Sequence, residues 1–510
     1  MTRTKRFLDG VFVSYANQIL VMLVGLWLTP FLLTHLGQHD FGLWLIGLKA
    51  LSYLTLLDIG ILGLLPREVA FAKGRMANSG GTELVRTVIE ETAVVILTSL
   101  PLLIAASFLA WRWLPSHNEV FRNSVALILI VFTVQFPFRI IYSSLEGLQD
   151  LGFLGTLQMI AWGAGLIVNV VMVLRGAGLY ALALGWAITQ GVITAGSIWR
   201  FYCRYPEFFP RRLRRLSWTQ YRGYFGASIW VSITQVAQIL RNSDLLLVGK
   251  VMGANMAVPF SCTGKLIAIG TNQPLVIMQS AQPALSELRA TGDRKHLAMV
   301  IGSLTQAMLM LSGAVGVVVL VVNRGFVQRW VGADQYLGFW LTVSLLMEMM
   351  IRHWNVTTIY SLFSLGHQRH ISIVSIADGV CTVLATWVLI AWIGPLGAPL
   401  GSLSAVVFLS LPWNLHKLRR ELDCPLLDLL MPVKAWGARF LPVLLVLGIL
   451  GELFLPANYF MIGLASILAA AFYALTQWGV VKNSRWVGHA RAQLTLLKYR
   501  FLKSQPELVP

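Results

Sequence analysis

The stretch LGTLQMIAWGAGLIVNVVMVL, residues 154–174, contains no charged side chain. Only residues 175–178 separate it from a second uncharged stretch of similar length, residues 179–199. A helix needs about 20 predominantly apolar residues to cross the hydrocarbon core of a bilayer. The two stretches therefore predict a pair of membrane-spanning helices that are joined by a short, glycine-containing turn.

The composition of the whole chain agrees with this pair of helices. Of the 510 residues, 56% are apolar and 12% are charged, whereas soluble proteins average about 45–50% and about 25%. The loops are too short to fold as catalytic domains. Apolar segments of spanning length occur fourteen times, near residues 12–33, 41–64, 88–110, 124–144, 154–174, 179–199, 223–248, 258–280, 298–322, 337–365, 371–393, 397–415, 435–455 and 459–481.

Lysine and arginine are distributed unevenly among the predicted loops. A net charge of +18 would suggest a nucleic-acid partner in a soluble protein, but in membrane proteins these residues accumulate in cytoplasmic loops. With the N-terminus inside, the inner segments hold 29 of them and the outer segments hold 6. This distribution predicts that both termini are cytoplasmic, and it explains the charge without nucleic acid. The four cysteines are widely separated and predict no metal site.

Several features occur twice, at a nearly constant offset of 216–219 residues. A glycine precedes a lysine by twelve residues at Gly37–Lys49 and again at Gly253–Lys265. The tripeptide Ile-Tyr-Ser occurs at 141–143 and at 359–361. A repeat of six spans keeps both copies in the same orientation and places a substrate cavity between them.

We therefore predict an all-α polytopic membrane protein with about 14 transmembrane helices. These would form two six-helix lobes in parallel pseudo-repeat plus an extra C-terminal helix pair. The predicted parts are an N-terminal lobe, a basic cytoplasmic linker, a C-terminal lobe, the extra helix pair and a basic cytoplasmic tail, at residues 1–205, 206–222, 223–422, 423–482 and 483–510.

Five cationic side chains fall inside predicted spans, where an ionisable group costs several kcal/mol unless it is paired or faces water. Lysine binds phosphate as a point charge, and arginine can bind it with two hydrogen bonds. For the deeper arginines, near the inner end, snorkelling to the head groups is the alternative. The candidates for binding an anionic diphosphate or sugar are Lys49, Lys265, Arg139, Arg241 and Arg352.

Four acidic residues also lie in the spans and are candidates for proton or sodium coupling: Asp58, Asp378, Glu348 and Asp244. Two of them have an arginine three or four positions away, at Arg241–Asp244 and Glu348–Arg352. Each pair could therefore close on itself along one helix, which would make it a poor ligand for substrate. For Asp58, the alternative is a structural role at the adjacent turn.

The start of the chain resembles the opening of polysaccharide-biosynthesis flippases. The resemblance lies in Leu-Trp-Leu-Thr-Pro-Phe at 26–31, His-Leu-Gly at 35–37 and Phe-Gly-Leu-Trp at 41–44. Residues 57–60 and 66–68 resemble the end of that family's second span. The layout of six, six and two spans extends the resemblance over about 5–480. The wider group is the multidrug/oligosaccharidyl-lipid/polysaccharide exporter (MOP) superfamily.

The resemblance implies a V-shaped bundle that works by alternating access. Its cargo would be a polyprenyl-diphosphate-linked oligosaccharide, moved from the inner to the outer leaflet of the bacterial cytoplasmic membrane for an O-antigen type of surface polysaccharide such as lipopolysaccharide. The implied partners are this substrate, membrane lipids, and a polysaccharide polymerase with other assembly proteins. No cofactor is expected beyond an ion gradient. The chain departs from a simple repeat in having no acidic residue common to both halves.

Two other functions stay open at this point. One is a multidrug or small-molecule antiporter of the same fold, and the other is a lipid II-type flippase. An enzyme is disfavoured because the sequence has no DxD motif and no His–Asp pair in a sizeable loop.

Overall fold

The computed structural model describes residues 3–51, 61–74, 81–113, 119–210, 218–291, 293–453 and 458–483. In these ranges all regular secondary structure is helical. The chain divides into two compact units, residues 1–258 and 259–510. The predicted fold class, an all-helical membrane protein of two lobes with an extra C-terminal helix pair, is confirmed. The domain boundaries that the sequence suggested stay a prediction.

The first unit is built from helices that coincide with the predicted spans. Its first helix is interrupted at Gly37, where φ is 79° and ψ is 165°, so two spans meet there at a kink. The helices are α1 (Arg3–Leu51), α2 (Ile61–Gly74), α3 (Gly81–Trp113), α4 (Glu119–Gln135), α5 (Arg139–Gly147), α6 (Leu151–Leu174), α7 (Leu179–Arg204), α8 (Trp218–Arg241) and α9 (Asp244–Met252).

The second unit begins within α10 (Ala254–Thr263). A π-helical segment, Val406–Ser410, lies between α15 and α16. The remaining helices are α11 (Lys265–Thr291), α12 (Arg294–Trp330), α13 (Phe339–Ser364), α14 (Gln368–Ile393), α15 (Gly397–Ala405), α16 (Leu411–Leu422), α17 (Leu426–Leu453) and α18 (Tyr459–Asn483).

Eight helical segments of the described residues are long and apolar enough to cross a membrane. One of them, residues 368–422, contains two of the predicted spans. The other predicted spans are also helical where the structure describes them, but several are interrupted by kinks. The breaks between α8 and α9 and between α10 and α11 are examples. The predicted number of about 14 spans is consistent with this arrangement.

The backbone repeats itself between the two units. Gly37 and Gly253 share an unusual conformation, with φ of 79° and 92° and ψ of 165° and 162°. Gly178 and Gly394 share another, with φ of 56° and 69°. Each pair is 216 residues apart. The sequence had matched the second pair with an offset of 218–219, and the backbone corrects that alignment by two to three residues.

An ionic contact closes the turn after α5 and another closes the matching turn after α13. In the first unit, the Asp150 carboxylate accepts hydrogen bonds from Arg200 Nε at 2.8 Å and Nη2 at 3.2 Å. In the second unit, His367 Nε2 lies 3.1 Å from Glu421 Oε2. Lys417, which is 217 residues after Arg200, donates to the other oxygen of Glu421 at 2.8 Å. Each contact holds the start of one helix against the end of the next.

These two contacts should differ in strength. The Asp150–Arg200 pair is bidentate and its side chains are 14% and 23% exposed, whereas Lys417 and Glu421 are 31% and 32% exposed. Hydrogen bonds to charged groups contribute about 1.5–3 kcal/mol, and exposed ion pairs about 0–1 kcal/mol. We expect Asp150→Asn to lower the free energy of unfolding by about 1–3 kcal/mol and Glu421→Gln by less than about 1 kcal/mol. Thermal unfolding of the purified full chain in detergent measures both, and equal losses would contradict this ranking.

The extra C-terminal pair changes the surroundings of one helix of the second unit. Helices α17 and α18 pack against α12, which also contacts α11 and α13. As a result, the apolar window of α12 is 67% buried, whereas that of α3, the third long helix of the first unit, is 28% buried. The core around α12 includes Trp436, Phe440 and Tyr473.

Candidate substrate site

A polar pocket of about 370 Å³ lies within the first unit, among helices that contain predicted spans. Its lining is unusual for such helices because most of it is polar. Four of the side chains are carboxamides, one is a guanidinium and one is a carboxylate. The lining residues are Leu62, Gln135, Phe138, Arg139, Tyr142, Ser143, Glu146, Gln158, Gln190, Ile193, Thr194, Ser197 and Gln235. We call this the Arg139 pocket.

Helix periodicity brings the polar side chains to one side. Gln135, Arg139, Tyr142 and Glu146 are spaced by four, three and four residues, so they lie on one face of the chain through α4 and α5. A short 3-10 turn, Phe136–Phe138, joins the two helices and includes a proline. Gln190, Thr194 and Ser197 on α7 have the same four-and-three spacing, and α6 and α8 each supply one glutamine.

Few of these polar groups bind one another. Gln158 Nε2 donates to Tyr142 Oη at 2.6 Å. The Arg139 guanidinium lies 5.9 Å from the ring centroids of Phe132 and Phe136, near the limit of about 6 Å for a cation–π contact. Ser197 is 1% exposed, and its Oγ makes no hydrogen bond within the described part of the chain. A buried hydroxyl without a partner costs free energy, so this pocket is suited to a polar ligand.

A second polar cluster, which we call the Arg352 cluster, lies in the second unit. Arg352 Nε is 3.0 Å from Glu348 Oε1 on the same helix, and Nη1 is 3.3 Å from Asp378 Oδ2 on α14. Its Nη2 donates to Thr382 Oγ1 at 3.3 Å, and its Nε donates to Ser402 Oγ on α15 at 3.0 Å. Ser402 in turn donates to the Glu348 carboxylate. The cluster joins three helices, and it combines one cation with two carboxylates.

The structure therefore separates the predicted cations by environment. Arg352 is bound by Glu348, as its spacing allowed, and also by Asp378, which is fully buried. Arg139 lies in the polar pocket of the first unit. Lys49 is exposed near the end of α1, and Lys265 is half-buried at the start of α11.

The remaining predicted residues lie at breaks or outside the described ranges. Arg241 ends α8 and Asp244 begins α9, so the two do not share the single uninterrupted helix that the sequence suggested. Ser243 Oγ donates to the Leu240 carbonyl at 2.7 Å at this break. Asp58 lies outside the described residues.

Sequence reasoning missed the uncharged members of both sites. It searched the spans for charges and so passed over the glutamines and Ser197 of the Arg139 pocket and Thr382 and Ser402 of the Arg352 cluster. A signal was present in the first case, because the polar positions 135, 139, 142 and 146 recur at helical spacing inside an apolar span. The second case had no such signal, since Ser402 lies 50 residues from Arg352.

Comparison with known proteins places the chain among membrane transporters. Residues 92–340 match the model of a family described as "Polysaccharide biosynthesis protein". No protein with a curated description matches the chain. The match and the fold confirm the resemblance to polysaccharide-biosynthesis flippases of the MOP superfamily.

Solved structures with a similar fold include both multidrug transporters and a lipid flippase. An inward-facing MATE-family multidrug resistance transporter of the MOP superfamily aligns with a TM-score of 0.63 and 12% identity, over 81% of this chain and 98% of that one. The lipid II flippase MurJ, in an inward closed conformation, aligns with a TM-score of 0.61 and 11% identity, over 92% and 99%. At these identities the likeness establishes the fold alone.

Proposed function

We propose that this multi-pass membrane transporter of the MOP superfamily moves a polyprenyl-diphosphate-linked oligosaccharide from the inner to the outer leaflet of the cytoplasmic membrane by alternating access. The observation that carries the proposal is the Arg139 pocket, which collects four carboxamides and a guanidinium within helices of spanning length. Polar groups at membrane depth are expensive unless they serve a polar ligand or a water-filled path. A sugar that must cross the bilayer is such a ligand.

The cationic residues supply the rest of the proposed path. Lys49, Lys265 and Arg241 are proposed as contacts for the anionic diphosphate on the outer side, and Arg139 belongs to the inner side. Arg352 is proposed as the counter-ion of the acidic residues in its cluster rather than as a direct ligand of the diphosphate.

Coupling to a proton or sodium gradient is proposed for a subset of the acidic residues. Glu348 and Asp378 are the candidates that the Arg352 cluster brings together, and Asp244 and Asp58 are further candidates. We also propose that both termini are cytoplasmic. Proposed partners are membrane lipids, a polysaccharide polymerase and other assembly proteins.

The test is the leaflet distribution of lipid-linked oligosaccharide in cells that lack this protein and any redundant flippase. We expect the lipid to accumulate on the cytoplasmic face and the wild-type gene to restore export. Lys49→Ala, Lys265→Ala and Arg139→Ala should each lower the outer-leaflet fraction at least tenfold while the protein still inserts. Arg175→Ala is the matched control, because Arg175 is exposed in the turn between α6 and α7.

Two outcomes would contradict the proposal. An unchanged distribution in the deletion strain would refute the flippase function, and full export by all three variants would refute the role of the cations. A drug-susceptibility panel on the same strain tests the antiporter alternative, which predicts sensitivity to cationic compounds with normal surface polysaccharide. The MATE-like fold is compatible with both functions, but the amide-rich pocket favours the sugar.

A further inference from the structure

The proposed cargo has two polar parts whose hydrogen-bonding chemistry differs. At neutral pH a diphosphate offers only acceptor oxygens, so donor groups such as lysine and arginine suit it. Sugar hydroxyls both donate and accept. A carboxamide has an acceptor oxygen and a donor nitrogen, and a serine hydroxyl also does both. The side chains of a pocket therefore indicate which part of the cargo it accommodates.

The Arg139 pocket has the mixed chemistry that a sugar requires. Its glutamines come from α4, α6, α7 and α8, so donor and acceptor groups surround the space. Among the described residues, no hydrogen bond connects the side chains of Gln135, Gln190 or Gln235 to another group. Together with the buried Ser197 hydroxyl, these groups form an incomplete hydrogen-bonding shell.

The formal charge of the pocket also argues against a diphosphate. Arg139 contributes one positive charge and Glu146 contributes one negative charge, so the lining is neutral overall. A carboxylate beside a diphosphate would repel it, and the acceptor oxygens of the four carboxamides would face further acceptors. A neutral ligand with hydroxyl groups meets neither problem.

The size of the pocket limits how much of the cargo it can hold. At about 370 Å³ it is near the lower end of the range of about 300–1,000 Å³ that is typical of small-molecule sites. A whole lipid-linked oligosaccharide would not fit. The space suits a short portion of the glycan.

We infer that the Arg139 pocket binds an uncharged, hydroxyl-bearing sugar residue of the cargo and that the diphosphate binds elsewhere. This inference rests on the proposed function. It assigns the guanidinium of Arg139 to sugar oxygens, with Glu146 as the balancing charge. The glutamines on α4 and α7 then contribute to selection of the glycan.

The experiment compares two lipids on the purified full-length chain in nanodiscs. The first probe is the polyprenyl-diphosphate-linked oligosaccharide fraction extracted from the deletion strain, and the second is the same polyprenyl diphosphate without sugar. We expect the wild-type protein to bind the first at least tenfold more tightly. Gln190→Leu and Gln135→Leu should each weaken binding of the sugar-bearing lipid about tenfold, the upper end of what one lost hydrogen bond produces, without changing the affinity for the sugar-free lipid.

The control is Gln368→Leu, the same substitution at an exposed glutamine at the start of α14, and it should leave both affinities unchanged. Equal weakening of both lipids by the pocket variants would assign the pocket to the diphosphate and overturn the inference. Equal wild-type affinity for the two lipids would also overturn it while leaving the flippase function intact. Failure to bind either lipid, with an unchanged leaflet distribution, would refute both. The two glutamines lie on different helices, so misfolding of one variant leaves the other to decide.

Discussion

Arg352→Met should destabilise the protein by about 3–5 kcal/mol, because it leaves two carboxylates buried without their cation. Asp378 is fully buried and Glu348 is 9% exposed, and the guanidinium contacts both at 3.0–3.3 Å. Removing one partner of a buried ionic pair is costly, since the remaining charge keeps its desolvation penalty and loses its compensation. Ser402 and Thr382 would lose a hydrogen-bond partner at the same time. The measurement is thermal unfolding of the full chain in detergent.

The same reasoning predicts that removing all three charges recovers most of the loss. The triple variant Glu348→Gln, Arg352→Met, Asp378→Asn leaves no buried charge in the cluster, and replacing a buried ionic group by neutral residues is often close to neutral. Arg294→Met, at an exposed position at the start of α12, is the control. Unchanged unfolding of the single variant, with loss of export, would instead make Arg352 a ligand of the cargo.

Gly401→Ala should disrupt the packing of α14 against α15, at a cost of about 3 kcal/mol. A Cβ at this position would lie 2.4 Å from the backbone nitrogen and 2.5 Å from the Cα of Thr386. Both are backbone atoms, so the helices themselves would have to move apart, and inserting a methylene into a well-packed interior typically costs about 1–3 kcal/mol. The neighbouring residue, Ser402, would move away from Arg352. Unfolding in detergent and export in the deletion strain should therefore both be impaired.

Gly437→Ala is the matched control for this prediction. Gly437 lies in α17, and a Cβ there would meet no atom within 4 Å. Alanine is favoured over glycine in helices by about 1 kcal/mol, so the control should be neutral or slightly stabilising. Equal effects of the two substitutions would show that the close approach of α14 and α15 is not limiting.

The sequence was sufficient to predict the helices because the length of an apolar segment is a direct physical requirement of the bilayer. Residues 154–174 and 179–199 became Leu151–Leu174 and Leu179–Arg204, which differ from the prediction by at most five residues at any end. The repeat was also detectable, but its exact offset required the backbone angles. Spacing correctly raised the Glu348–Arg352 contact, since residues four apart are neighbours on a helix.

The contacts between helices could not be predicted in this way. Asp378 lies 26 residues from Arg352 and reaches it only because α13 and α14 pack together. The glutamines of the Arg139 pocket are uncharged, so each alone is compatible with an ordinary membrane helix. Their significance arises from four helices converging on one space. The break that separates Arg241 from Asp244 depends on local hydrogen bonding that composition does not show.

The unequal burial of α3 and α12 has an evolutionary consequence. Lipid tails adapt to a change in side-chain shape, whereas neighbouring helices do not, because protein interiors are close-packed. Helix α12 carries Gly313 against Tyr473 of α18 and Gly316 against Met350 of α13, so its small residues are fixed by the elements around it. Substitutions should therefore accumulate more slowly in α12 than in α3. The two copies of an ancestral half would diverge at different rates, and the extra helix pair would set the slower one.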